Sequence, residues 1–173
     1  RFHNPARLAQ IQRNTQVARR RLALPIEAYA EITGFGDAND RYIECALELG
    51  EAAIRDALAR ADLPPRAIDH FYSISITGLA TPSLDARLIN RLGLRSDVKR
   101  TPIFGLGCVG GAVGLTRAAD SVRAFPRETA LVLATELCSL TLQRGDASIP
   151  NVIASGLFGD GAAAVLVRGA EVE

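Results

Sequence analysis

Gly105-Leu106-Gly107-Cys108-Val109-Gly110 places a thiol inside a glycine-rich turn. Two chemistries compete for such a turn. G-x-G-x-x-G after a strand and before a helix is the fingerprint of a dinucleotide site, where backbone closes on a pyrophosphate. A cysteine at the first turn of a helix is instead a candidate nucleophile, because the positive end of the helix dipole favours its thiolate. The dinucleotide reading gains from Glu136, near the end of the next strand, where a ribose-binding acid belongs. It loses because more than 100 residues precede the turn, and because Cys108 stands where backbone would have to approach phosphate. The nucleophile reading uses Gly105 and Gly107 for a sharp turn that presents the side chain into a cavity. A third reading makes Cys108 a small buried apolar residue. On spacing alone, the nucleophile and the buried thiol stand level.

The elements that must hold this turn read as an alternation. A basic stretch over residues 1–31, with Arg1, Arg7, Arg13, Arg19, Arg20 and Arg21, predicts a short helix and an extended arm. That arm is either a solvated face or a landing strip for phosphates. Asp37 is a candidate N-cap for a long helix ending near Ala61, with Ile43, Leu47, Ile54 and Leu58 on one face. Pro64 and Pro65 stop it. Residues 68–76, "IDHFYSISI", predict a buried strand. Ser83 caps a helix through Leu92 that Gly93 ends. "VKRTPIFG" predicts a second strand, residues 109–124 a helix of small side chains, and "ETALVLATEL" a third strand. A polar loop, a short helix "NVIASGLF" and a turn into a fourth strand complete the chain. Strands alternating with helices give the α/β class, with a largely parallel sheet. Glycines at 110, 111 and 114 each cost a helix about 1 kcal/mol against alanine, so close packing or ligand approach must compensate.

Composition narrows the function classes. The chain of 173 residues, 48% of them apolar, is one domain's worth of core and argues against disorder. A net charge of +1 gives no electrostatic case for nucleic acid or a membrane surface. No apolar run approaches the roughly 20 residues of a bilayer span, and "RFHNPARLAQ" lacks a signal-peptide core. With no initiator Met, the sequence reads as a piece of a longer protein. Three cysteines, Cys45, Cys108 and Cys138, without a C-x-x-C pair, fit a reducing cytoplasm. His3 and His70 pair with no cysteine at zinc spacing. His70, between Asp69 and Phe71, reads as structural.

The segments "TGLATPSLDARL", "VKRTPIFGLGCVGGAVGL", "ATELCSLTLQR" and "ASGLFGDGAAAVLV" together resemble the type III polyketide synthases, the chalcone and stilbene synthase family. The likeness is strongest to bacterial members that make alkylpyrones or alkylresorcinols. It covers nearly the whole chain. It implies a thiolase-like fold of two similar halves, of which residues 1–173 are the N-terminal half as a single domain, with a mixed, largely parallel sheet and helices on both faces. It implies that Cys108 holds the starter acyl group and the growing chain as a thioester. Phe158 falls on a gatekeeping aromatic between the CoA tunnel and the cavity. Thr77, Cys138 and Thr141 fall on cavity-lining positions, and Thr81 on a position reaching into the partner's cavity in a homodimer. Arg7 falls near a basic position used for CoA phosphates. The implied substrates are an acyl-CoA, fatty acyl by this likeness, and malonyl-CoA. No metal or redox cofactor is implied. The family's activating histidine and asparagine lie in its C-terminal half, and neither His3 nor His70 matches them. Glu136 reads as a buried, paired acid that shapes the site, and Gly159-Asp160-Gly161 as a turn. A single-step ketoacyl-carrier-protein synthase and a non-catalytic half-domain are the rival expectations.

Overall fold

The computed structural model describes residues 5–172; Arg1 and His3 lie outside them. The order is α1 (Pro5–Asn14), α2 (Phe35–Ala61), β1 (His70–Ile74), α3 (Leu84–Leu92), β2 (Lys99–Ile103), α4 (Gly110–Ala124), β3 (Thr129–Leu137), α5 (Ile149–Leu157) and β4 (Asp160–Arg168). Short 3₁₀ turns cover 26–31, 65–67, 107–109 and 138–141. The sheet order is β2-β1-β3-β4. β1 runs parallel to both β2 and β3, and β4 is antiparallel to β3. The alternation predicts the parallel part of this sheet, and the antiparallel β4 makes it mixed, as the family resemblance implies.

Side chains alternate across the sheet, and each face finds its own helices. Phe71, Leu131 and Leu133 face Ile54 and Leu58 of α2 and Leu88 and Leu92 of α3. Tyr72, Ile74, Ala130 and Val132 face Ala118 and Val122 of α4. Every residue of β1 is buried, as a central parallel strand flanked by two helical layers requires. A fully buried Leu, Ile or Phe at these positions contributes about 1.5–3 kcal/mol.

Several details depart from the sequence reading. The buried face of α2 is Ala38, Tyr42, Ala46, Gly50, Ile54 and Leu58, while Ile43 and Leu47 are only half-buried. The small residues Ala38, Ala46 and Gly50 in this stripe let the helix lie close to β3, which a search for large apolar residues overlooks. Asp37 is not the N-cap. The cap is Gly34, and Asp37, inside the first turn, reaches back to accept hydrogen bonds from the Thr33 backbone N–H (3.1 Å) and its hydroxyl. Hydroxyl and amide together hold the Asp37 carboxyl below the usual carboxylate range. The strand expected over 68–76 is confined to His70–Ile74. The loop after β3 begins with a 3₁₀ turn, and α5 starts at Ile149, capped by the Ser148 hydroxyl.

The basic arm is packed against the domain. Gln12 of α1 donates to the Val152 carbonyl of α5 (3.1 Å), and Arg20 donates to the Gly156 carbonyl. His70 is structural: it bonds Glu128 at 2.5 Å and stacks on Tyr72, at the end of β1 remote from the cysteine turn. Lys99 donates to both Glu128 oxygens at 2.8 Å, and this ion pair holds the Glu128 carboxyl below its ordinary range, with His70 adding to the effect.

Candidate active site

Parallel strands and the helices that follow them bring several loops to one end of the sheet. Here β1 delivers residues 75–79, β2 delivers the cysteine turn, and β3 delivers the 138–141 turn. The turn after β2 bends through Gly105 and Gly107, whose φ angles of 84° and 58° are left-handed and disfavour any side chain. Cys108 follows in the 3₁₀ turn that feeds directly into α4, and its side chain is exposed. The next glycines have a different duty. A Cβ at Gly110 would stand 2.7 Å from Ile74 Cγ2, and one at Gly114 would stand 2.7 Å from Ile74 Cδ1. The helix therefore lies against β1 closer than alanine allows. The glycines serve the turn and the packing of the helix behind it, which is the compensation their helix cost requires.

Cys108 opens onto a cavity of about 350 Å³. Thr77, Cys138, Thr141 and Phe158 line the same cavity, so five of the seven expected site residues converge. Thr81 and Arg7 do not line it. Thr81 is exposed just before α3, and Arg7 is exposed on α1. Phe158 ends α5 and remains 45% exposed, so it is a wall rather than a core aromatic. Cys138 is half-buried, and burial together with the nearby Glu136 and Asp160 charges pushes its thiol up.

Residues beyond the expected set complete the cavity. Ile76, Leu142 and Ala154 add apolar wall. Asn151 also lines it, but its amide is spent on the Gln143 (2.9 Å) and Asp146 (2.7 Å) carbonyls, closing the loop before α5. No local sequence signal marks these four, because they reach the cavity only through tertiary packing.

Glu136 is the hub of the floor. It is half-buried, and its partners are neutral rather than cationic, which corrects the expected buried, paired acid. Its carboxylate accepts from the Ile76 N–H (3.2 Å to each oxygen), the Ser75 hydroxyl (3.4 Å) and the Thr77 hydroxyl (2.8 Å). Thr77 in turn accepts from the Leu137 N–H at 2.9 Å. The Thr77 proton is thus committed to Glu136, and the residue can offer a ligand little beyond its methyl group. Behind them Tyr42 donates to Ser75 at 2.6 Å, and burial pushes the Tyr42 phenol up to about 12. A carboxylate fixed by three kinds of donor holds the 75–77 loop across from the cysteine turn.

Such an arrangement presents an accessible thiol to a partly apolar chamber walled by small and medium side chains. It suits a covalent intermediate on sulfur with an apolar or polyketide chain lying beside it. Among the described residues no group of three or more His, Cys, Asp or Glu side chains is placed to hold a metal ion. No described helix is long and apolar enough to cross a membrane.

Comparison with known proteins points the same way. The family model for the N-terminal domain of chalcone and stilbene synthases matches residues 12–171. A 1,3,6,8-tetrahydroxynaphthalene synthase of Streptomyces peucetius subsp. caesius is 52% identical over 96% of this chain and 44% of its own length. A phloroglucinol synthase of Pseudomonas fluorescens is 38% identical over 90% of the chain and 44% of its own. The crystal structure of the Streptomyces coelicolor tetrahydroxynaphthalene synthase, a bacterial type III polyketide synthase, superposes with a TM-score of 0.91 at 39% identity, covering 96% of this chain and 48% of that one. The chain spans about half the length of these relatives. With a model match over most of its length and a neighbour that shares its sheet and helices, this chain belongs to the chalcone and stilbene synthase family, as its N-terminal domain.

Proposed function

We propose that the protein carrying this chain is an acyltransferase, a type III polyketide synthase, and that Cys108 is the sulfur on which acyl chains are held. The observation that carries this reading is the opening of an exposed Cys108, at the foot of α4, onto one cavity with Thr77, Cys138, Thr141 and Phe158. The Cys108 thiolate attacks the carbonyl of an acyl-CoA, the C–S bond to CoA breaks, and CoA leaves as its thiolate. Malonyl-CoA then loses CO₂. The resulting carbanion attacks the Cys108 thioester, forming a carbon–carbon bond and returning the thiolate. The enolate needs hydrogen-bond donors. The family likeness assigns these to a histidine and an asparagine outside these 173 residues. The Glu136 network keeps the 75–77 wall in place, and Phe158 stands at the rim as the gate for the CoA arm. The same reading makes the whole protein a homodimer, with the exposed Thr81 available to a partner, and places Arg7 near the CoA phosphates.

The starter separates two versions of this function. The sequence likeness to alkylpyrone and alkylresorcinol synthases favours a fatty acyl starter. The names of the relatives favour another: tetrahydroxynaphthalene and phloroglucinol are hydroxylated rings without an alkyl tail, as a chain built from two-carbon units alone would give. The whole protein should be incubated with malonyl-CoA alone and then with acetyl-CoA or dodecanoyl-CoA added. Products and the Cys108 peptide are then read by mass. A tailless aromatic from malonyl-CoA alone supports the second version, and an alkyl pyrone or resorcinol supports the first. Cys108→Ala should lower condensation about 10³-fold or more in either case, as loss of a covalent nucleophile does. Undiminished condensation by that variant would overturn the assignment of the nucleophile.

A further inference from the structure

A hydrogen-bonded chain runs from the N-terminal arm to the cysteine cavity, and its directions can be assigned. The Asp160 carboxylate, at the start of β4, accepts from the Ala23 N–H (2.6 Å), the Ser139 N–H (2.8 Å) and the Ser139 hydroxyl. Ser139 has one hydroxyl proton, and Asp160 takes it. The 2.5 Å contact between Tyr29 and Ser139 must then have the Tyr29 hydroxyl as donor. That leaves the Tyr29 oxygen to accept the Leu24 N–H at 3.2 Å. The Asp160 N–H closes the loop on the Arg21 carbonyl at 3.0 Å.

The ends of this chain matter. Ser139 adjoins Cys138, and Asp160 lies two residues past Phe158, so both anchors sit beside walls of the Cys108 cavity. Tyr29 itself lies outside that cavity. It lines a neighbouring cavity of about 530 Å³ that shares Ile76, Thr77, Thr141 and Leu142 with it. The arm is also tied to α5, through Arg20 on the Gly156 carbonyl. The Tyr29 proton thus reaches the turn carrying Cys138 from the arm.

We propose that Tyr29 is a positioning residue: through Ser139 and Asp160 it holds Cys138 and Phe158 in register and so sets the length of acyl chain that the Cys108 cavity accepts. The selectivity clause rests on the acyl-carrier reading of Cys108; the clause about Cys138 does not. Tyr29→Phe keeps the ring that packs against the apolar cluster of Tyr42, Ala46, Leu84, Leu137 and Leu140 and removes the hydroxyl with its donated proton.

Two measurements on the whole protein test this and keep it separable from the reading beneath it. The first is the rate at which a small maleimide modifies Cys138, read by peptide mass, which needs no acyl chemistry. Tyr29→Phe should raise it about fivefold, the factor a lost hydrogen bond represents. Ser139→Ala, which loses the bonds to both Tyr29 and Asp160, should raise it at least as much, and Tyr29→Phe added to it should change nothing further. Unchanged rates in both single variants overturn the proposal. The second is the ratio of Cys108 acylation by dodecanoyl-CoA to that by acetyl-CoA. A positioning role shifts this ratio about fivefold. Equal losses with both donors, tracking a fall in Tm, would mean a merely structural tie and also overturn the proposal. If the unaltered protein takes no acyl group on Cys108 from any donor, the synthase reading fails and the selectivity clause with it, while the maleimide rates still judge the clause about Cys138.

Discussion

Three cysteines in one fold give an internal control on what the cysteine turn does. Cys108 is exposed, whereas burial pushes both the Cys45 and the Cys138 thiols up, with neighbouring acids adding to the effect at each. The thiolate is the reactive form, so Cys45 and Cys138 should alkylate appreciably only at higher pH. With iodoacetamide at neutral pH, peptide mapping should find Cys108 modified first, by about tenfold or more over the other two. Equal labelling would contradict the exposure seen here. The rates at Cys45 and Cys138 should climb as the pH rises past the range of an ordinary thiol. Much of this was legible in the sequence, because the turn glycines and the cysteine lie side by side in the chain. Glu136 was less so. Its role comes from Thr77 and Ile76, about 60 positions away, and no local pattern announces that they meet.

At the scale of elements, α4 separates two uses of glycine that look alike in sequence. Gly110 and Gly111 are neighbours in the helix, yet a Cβ at Gly110 would meet Ile74 Cγ2 at 2.7 Å and one at Gly111 would meet nothing within 4 Å. Gly110→Ala should therefore cost about 1–3 kcal/mol by overpacking against a stiff β-branched neighbour. Gly111→Ala should stabilise by up to about 1 kcal/mol through helix propensity. Urea unfolding of the two variants checks the contrast, and the same sign for both would refute the close approach. Element order and type were readable from periodicity and punctuation: Pro64 and Pro65 after α2, Gly93 after α3, and alternation into β4. The buried stripe of α2 was misread because Ala46 and Gly50 carry little hydrophobic signal while doing the packing. The antiparallel sense of β4 was not readable, since direction is set by the end of the sheet to which α5 returns the chain, here beside Leu137 at the end of β3. Arg20 could be read as a phosphate contact or a solvated face. Arg20 is exposed, as a solvated face requires, and it also donates to the Gly156 carbonyl near the end of α5, which a guanidinium satisfies as readily as a phosphate.

For the whole molecule, an ion pair at the end of the sheet remote from the cysteine ties stability to pH. The Glu128 carboxyl is held down chiefly by Lys99, so in the folded state it titrates below its value in the unfolded chain, about 4.3. Its contribution is full above that value and is lost as the pH falls through the depressed one. Lys99→Met should lower Tm above about pH 4.3, where the pair contributes in full, and change it little at lower pH, so that the acid side of a Tm-against-pH curve flattens. An unchanged acid limb would mean that the pair is fully screened. The pairing of the strands has a consequence for time rather than energy. His70 of β1 stands opposite Ala130 of β3, and Ala134 opposite Ala163 of β4. Each such closure joins distant parts of the chain before any local contact rewards it, and topologies of this kind cross slow folding barriers. The chamber beside Cys108 draws its walls from residues 76–158, so it cannot exist until β1, β3 and the start of β4 have all docked. During that interval the thiol belongs to an unstructured chain and meets whatever electrophile or oxidant diffuses by. The order of assembly, as much as the finished shape, decides when this cysteine first has walls beside it.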